Sequence, residues 1–261
     1  VNIIVCIKQV IDTSARIAIK DGNVEAPGSP RVMNPYDEYA VEEAVRLKDR
    51  FSPDSQITLL SLGPESFRDT LKTGLAMGAD QAVHLCDPAF AGLDALATAQ
   101  ALAKAIAGMP YDLILCGRQA VDDDTAGVGP ALGVLLNVPF VTVVTQLEIA
   151  DDQKNAVVTR QIEGGSEVLE VSLPLVLTCQ KGLNVPRLPS LKGIMAAKKK
   201  EVRVLTASAI GFDPATQAPG RGRQVNLTLP PPRPKTRMLA GDARQAANEL
   251  IRLLRDEEKI I

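Results

Sequence analysis

The segment LILCGRQAVDDDTAGVGPALGVLL, residues 113–136, holds a complete strand–turn–helix unit and sets the class of the protein. Asp112–Cys116 reads as a strand that ends at Cys116. Gly117 permits a tight turn, and a helix is expected to begin near Thr125 with Gly127 and Gly129 in its first turn. The N–H groups that open a helix have no intrahelical acceptor, and small residues let a phosphate come close to them. The carboxyl end of a parallel strand is also where open α/β sheets bind ligands. The same letters fit a glycine-softened turn that binds nothing. Neither GxGxxG nor GxxxxGK[ST] occurs, so Rossmann dinucleotide and P-loop fingerprints are both missing. Asp122, Asp123 and Asp124 oppose a phosphate; one is expected to cap the helix and another to reach a ribose hydroxyl. Adjacent carboxylates on a turn diverge, so they make a poor metal site, and none is expected.

Toward the N-terminus the pattern repeats. Asn2–Lys8 is a β-branched run, and Arg16–Ala26 alternates around Asp21-Gly22 as a hairpin does. Asn34 reads as an N-cap with Pro35 at the first helical position. Tyr36, Ala40, Val41, Ala44, Val45 and Leu47 then form a stripe at helical spacing. Gln56–Leu62 is a strand; Gly63-Pro64 opens a helix that stops near Gly78; Ala82–Leu85 is a strand; Asp94 caps an alanine-rich helix to Ala107. Strands separated by such helices predict β-α-β units. Beyond residue 136, Val138–Ala150, Ala156–Ile162, Glu167–Leu173 and Leu175–Cys179 follow without helices, which predicts an antiparallel extension. The expected fold is α/β: a doubly wound, mostly parallel sheet with an antiparallel extension and an extended C-terminal arm.

Three parts are expected: a nucleotide-binding domain over 1–182, a partner-recognition loop over 183–200, and an arm with a final helix over 201–261. Lys181–Lys200 is broken by Pro186 and Pro189 and carries Leu188, Leu191, Ile194 and Met195, apolar side chains suited to a partner's groove. From Pro214 to Gly241 the arm has Arg221, Arg223, Arg233, Lys235 and Arg237 and no acid, with extended backbone at Pro230–Pro232. The final helix, capped by Asp242, aligns Ala243, Ala246, Ala247, Leu250, Ile251 and Leu254. Such an arm needs a partner chain to bury against.

Composition removes other classes. Basic and acidic residues nearly balance, 29 against 31, so no overall field recruits nucleic acid or an anionic membrane. Aromatics make up 3% with no tryptophan, which argues against base-stacking platforms. The single histidine, His84, reads as a core residue and makes triad chemistry improbable. Cys6, Cys86, Cys116 and Cys179 form no CxxC pair. No apolar run reaches membrane-span length, and the chain opens on a strand pattern, so neither a secretory leader nor a transit peptide is expected. A cytoplasmic location is expected, or the mitochondrial matrix in a eukaryote.

VTRQIEGGSEVLEVSLPLVLT (158–178) resembles the signature segment of the electron transfer flavoprotein β subunit, with Arg160, Glu163, Gly164, Gly165, Glu167 and Pro174 matching. MNPYDEYAVEEAVRLKD from Met33, LAMGAD from Leu75 and GLNVPRLPSLKGIMAAKKK from Gly182 resemble the same family. The resemblance implies a heterodimer with an α subunit and no bond-making chemistry in this chain. It implies an FAD shared with the α subunit, which takes electrons from dehydrogenases, typically acyl-CoA dehydrogenases of fatty acid oxidation. Those electrons pass to a quinone reductase or another acceptor. It further implies a structural AMP in this subunit. The contacts carried over are Cys6, Asn34, Pro35, Tyr36, Asp37, Leu62, Gly117, Arg118, Gln119, Ala120, Val121, Asp122, Asp123, Asp124, Thr125, Ala126, Gly127, Val128 and Gly129. Docking falls on Pro189, Leu191, Ile194 and Met195, with Leu191 as anchor. Thr13 departs from the tyrosine some members place near the flavin. An electron-bifurcating branch holds a second FAD in place of AMP and has a loop similar to DGDTAQVGP. Thr125, Ala126, Val128, Gly129 and Pro130 match it, but Asp123 replaces its glycine, and NPYDEYAVEEA resembles the AMP-binding branch. A stand-alone ATP-using enzyme of similar fold would need a serine–glycine loop where this chain reads KQVIDTSA. A nucleotide-binding stress protein acting alone would have no use for the arm.

Overall fold

The computed structural model describes residues 1–51, 55–217, 222, 226–233 and 235–261. These divide into two units, one of 1–18 with 24–225 and one of 19–23 with 226–261. The strands are β1 (Asn2–Cys6), β2 (Gln9–Ile11), β3 (Ala18–Lys20), β4 (Asn23–Glu25), β5 (Arg31–Met33), β6 (Gln56–Leu62), β7 (Gln81–Leu85), β8 (Leu113–Gly117), β9 (Phe140–Ile149), β10 (Asn155–Ile162), β11 (Gly165–Ser172), β12 (Leu175–Cys179) and β13 (Val202–Leu205). The helices are α1 (Pro35–Phe51), α2 (Phe67–Met77), α3 (Ala95–Ile106), α4 (Val128–Leu136), α5 (Leu191–Lys199), α6 (Pro214–Gln217) and α7 (Ala243–Arg252).

Nine strands form one sheet in the order β11-β10-β9-β12-β8-β1-β6-β7-β13. All neighbours run parallel except β9–β10 and β10–β11. The continuous apolar strands have both faces covered. Ile3, Val5, Leu113 and Leu115 pack with the inner faces of α1 and α2, while Ile4, Cys6, Ile114 and Cys116 pack with α3 and α4. From β1 the chain winds through β6 and β7 to one side and then returns to place β8 on the other. A crevice therefore opens at the carboxyl ends of β1 and β8, where Cys6 and Cys116 are register partners.

The sheet departs from the sequence reading in three places. Only β9, β10 and β11 are antiparallel; β12 returns to the interior, parallel to both β8 and β9. Its five residues are all buried, which explains why LVLTC lacks the alternation of a half-exposed strand. Segment 183–200 is not irregular throughout, because α5 occupies its second half with Ser190 as N-cap, accepting from Gly193 N at 3.0 Å. Residues 202–212 are not part of a free arm: β13 extends the sheet beside β7, and Phe212 packs on Phe90 with ring centroids 5.8 Å apart.

The second unit carries no regular structure over 226–233 and 235–240, where the proline run lies, and then forms α7. Asp242 and Gln245 build a reciprocal capping box at its start. Of the stripe expected there, Leu250 and Ile251 stay about half exposed, at 47% and 45%, and Leu254 is half-buried; Leu253, outside that stripe, is the buried side chain. Arg237 and Arg252 each pair with Glu249 and Glu257. Arg221 and Arg223 lie outside the described residues.

Phe212 is 4% exposed, so Phe212→Ala is expected to cost about 3–5 kcal/mol in chemical denaturation, as deletion of a core aromatic does. A loss below about 1 kcal/mol would place this segment outside the core.

Candidate functional site

The crevice at the switch point is a cavity of about 330 Å³, at the lower end of the range for small-ligand pockets. Cys6 and Cys116 lie in its floor, both buried. Its rim is held by one carboxylate. Asp37, in the first turn of α1, accepts from Lys8 N at 2.7 Å, from Gly117 N at 3.1 Å and from Asn34 Nδ2 at 2.9 Å. The ends of β1 and β8 and the start of α1 thus meet on one side chain. Gly117 has no alternative, since a Cβ there would collide with Asp37 Oδ1. Burial pushes the Asp37 carboxyl up to about 7, against the pull of Asn34 and the two backbone donors.

Asn34 does not cap α1 as its position suggests. Its Nδ2 donates to Gln119 O at 2.9 Å and its Oδ1 accepts from Val121 N at 3.1 Å, so it holds the loop after β8 instead. Helix α4 begins at Val128, not Thr125, and its N-cap Gly127 offers no side-chain cap. None of the three aspartates caps it. Asp123 accepts from Thr125 N at 3.0 Å, and Asp124 accepts from Gln119 Nε2 at 2.5 Å. Lys8 Nζ clasps Asp122 at 2.7 Å and Asp123 at 3.1 Å. Burial works against the Lys8 charge, yet the two carboxylates outweigh it and raise its pKa. Lys8 thereby offsets one of the three negative charges of the acidic run and holds Asp122 and Asp123 together. Arg118 also lines the cavity and makes no ion pair among the described residues. With the Val128 and Gly129 N–H groups at the start of α4, it leaves one end of the cavity suited to an anion.

An apolar set also lines the cavity, Leu60, Leu62, Phe90, Leu93 and Leu102, with Thr98 as a hydroxyl. Among the expected contacts, Cys6, Asn34, Asp37, Leu62, Gly117, Arg118, Gln119, Ala120, Asp123, Thr125, Ala126, Gly127, Val128 and Gly129 line the cavity. Pro35, Tyr36, Val121, Asp122 and Asp124 do not; they start α1 or hold the loop. Sequence reasoning missed Lys8, the Phe90–Leu93 wall and the α3 residues Thr98 and Leu102. The Asp87-Pro88 and Gly92 turn signals between β7 and α3 mark that wall. Gly129 needs a correction of cause. A Cβ there would strike Thr178 Cγ2 of β12, so this glycine serves the approach of α4 to the sheet, and Gly129→Val would not isolate an effect on a ligand.

The expected docking residues sit on and before α5. Arg187 forks onto Glu42 at 2.8 and 3.0 Å, and Asn184 Nδ2 donates to Glu43 at 2.9 Å, fixing the chain that leads into the helix. Glu42 and Glu43 are both buried on α1. Beyond this base, Leu188, Leu191, Ile194 and Met195 are exposed, Leu191 by 82%, and Pro189 is half-buried.

Residues 22–210 match the family model described as electron transfer flavoprotein domain. The chain belongs to the electron transfer flavoprotein family. It is 47% identical over 214 residues to the electron transfer flavoprotein subunit beta of Thermoanaerobacterium thermosaccharolyticum, covering 81% of each chain. It is 38% identical over 266 residues to that of Bacillus subtilis, covering both chains fully. The caffeyl-CoA reductase-Etf complex subunit CarD of Acetobacterium woodii is 43% identical over 215 residues, covering 82% of this chain and 81% of its own. Family membership supports a role in electron transfer. No helix among the described residues is long and apolar enough to cross a membrane.

Asp37→Ala strands three N–H donors at about 1–3 kcal/mol each and is expected to unfold at much lower denaturant. The pH dependence follows from the raised pKa. The folded carboxyl holds a proton that the unfolded one releases near its ordinary 3.8, so its contribution is full below about pH 4 and is lost as pH rises toward 7. Asp37→Asn cannot titrate and should flatten that slope in denaturation series from pH 4 to 7; an unchanged slope refutes the assignment.

Proposed function

We propose that the chain is the β subunit of a heterodimeric electron transfer flavoprotein that houses cofactors and performs no bond chemistry. In this reading it binds AMP in the switch-point cavity and, with an α subunit, holds a redox-active FAD. The observation that carries the AMP reading is the pairing of an anion-suited end, made by Arg118 and the start of α4, with an apolar lining in a space of about 330 Å³. A phosphate takes the first and an adenine the second. In this reading Asp123, which lines the cavity and is held below the ordinary carboxylate range by Thr125 and Lys8 against its partial burial, accepts from a ribose hydroxyl. The volume favours a mononucleotide over the second FAD of the bifurcating branch. A stand-alone ATP-using enzyme is disfavoured because the stretch after β1 reads KQVIDTSA, without the serine–glycine phosphate loop such an enzyme needs.

The exposed apolar side chains of α5 are the surface by which a dehydrogenase docks, delivering electrons that leave for a quinone reductase or another acceptor. The relative from Acetobacterium woodii is named as part of a complex with a reductase of a coenzyme A thioester. That supports a CoA-thioester dehydrogenase as the partner class.

Nucleotides released by denaturing the purified complex and identified by mass spectrometry should include one AMP per chain, with less retained by Arg118→Ala. Two FAD and no AMP would assign the second-FAD branch instead. Leu191→Ala should weaken dehydrogenase-dependent flavin reduction by about 2 kcal/mol, roughly 30-fold in partner affinity, with flavin content and thermal stability unchanged. If flavin is lost or the fold destabilised while affinity holds, Leu191 is a packing residue and the docking reading fails.

A further inference from the structure

His84, the single histidine of the chain, lies on β7 with no exposed surface. Its Nε2 sits 3.0 Å from Gly63 O, and a carbonyl can only accept, so Nε2 carries the proton. The lone pair then belongs to Nδ1, which is buried and has no hydrogen-bond partner among the described residues. A buried imidazole with one N–H tied to a backbone carbonyl and the other nitrogen left over is the arrangement of a metal-bound histidine.

Two further ligand types converge on it. Cys86 follows His84 by two residues, and Glu65 projects from the turn between β6 and α2. The ligating atoms of Glu65, His84 and Cys86 all lie within 4.8 Å of one another, and no other such trio occurs among the described residues. The Cys86 thiol faces Glu65 Oε2 at 3.9 Å, while Arg68 Nη1 takes the other oxygen, Oε1, at 3.4 Å. Arg68 therefore steadies the carboxylate without covering the oxygen that faces the cluster. Glu65 is exposed and Cys86 half-buried, so the ligands around the buried His84 ring reach toward solvent.

We propose that Glu65, His84 and Cys86 form a zinc site. Thiolate, imidazole and carboxylate together suit a borderline-soft divalent cation and not magnesium or calcium, and three protein ligands leave a fourth position for water. A tetrahedral zinc holds its ligand atoms roughly 3.5 Å apart, so the Glu65 and Cys86 side chains close by about an ångström on binding. The thiol proton is released to solvent as the metal–sulfur bond forms. Bound there, the ion ties the Gly63–Ser66 turn to the end of β7. The site is separate from the nucleotide reading and does not depend on it.

The full chain as purified, stripped by chelator, is titrated with cobalt(II) as a spectroscopic stand-in and with zinc. One cobalt per chain is expected, with the intense visible bands of four-coordination and a near-ultraviolet thiolate-to-cobalt band. Cys86→Ser should abolish the thiolate band and weaken zinc at least tenfold, and Glu65→Gln should keep the band and weaken zinc several-fold. Both side chains reach the surface, so these variants avoid the folding risk of replacing His84. Zinc should raise the unfolding temperature of the parent chain and not of Cys86→Ser. A substoichiometric cobalt signal, or a thiolate band that survives in Cys86→Ser, overturns the proposal.

Discussion

Three backbone segments that are far apart in the chain are brought to one point by the carboxylate of Asp37. It takes the N–H at the end of β1, the N–H at the end of β8 and the amide of Asn34. Sheet hydrogen bonds align the strands, but they stop where the strands stop, and the carboxyl ends of a parallel sheet leave donors with no partner. A buried acid at the start of α1 supplies the acceptor for those donors, and Asn34 carries the same link into the loop after β8. The cavity exists because this knot holds its rim open at the switch point. The burial that makes the knot effective also raises the acid's pKa, so the rim is sensitive to pH in a range where free aspartates are not.

Charge around the cavity is arranged by sequestration. Asp122, Asp123 and Asp124 look hostile to an anion in the sequence, yet each is engaged by Lys8, Thr125 or Gln119. Arg118 and the start of α4 supply positive potential beside the charge that Lys8 leaves unbalanced. The loop reaches this state through left-handed backbone at Asp124 and Ala126, conformations that aspartate tolerates better than alanine.

The winding of residues 1–136 is legible in the letters because strands covered on both faces are unbroken apolar runs, and the intervening helices carry apolar stripes. The same logic applied to LVLTC would have placed β12 inside the parallel sheet, since it shows no alternation. Other features leave no local trace. The roles of Asp37 and Asn34 rest on hydrogen bonds to residues dozens of positions away, and Asn34 occupies a capping position while serving another segment. The four residues of β13, VRVL, lie at the sheet edge with Val202 buried and Arg203 and Val204 exposed, and a run this short shows neither the unbroken burial of an inner strand nor a clean alternation. The cavity wall from Phe90 to Leu93 lies in a turn whose apolar residues gain meaning only when α3 closes over them. The α5 helix is hidden by the prolines before it, which read as a break when they lead to a cap.

The base and the outer face of α5 are energetically decoupled. The fork of Arg187 on Glu42 and the burial of Leu183 and Ala197 fix where the helix stands, whereas Leu188, Leu191 and Met195 are more than two-thirds exposed and add little to folding. Substitution can therefore rewrite the outer face without disturbing the platform beneath it. If that face is the docking surface proposed above, a lineage can change which protein it exchanges electrons with through a handful of mutations, and the stability of the subunit places no brake on that divergence.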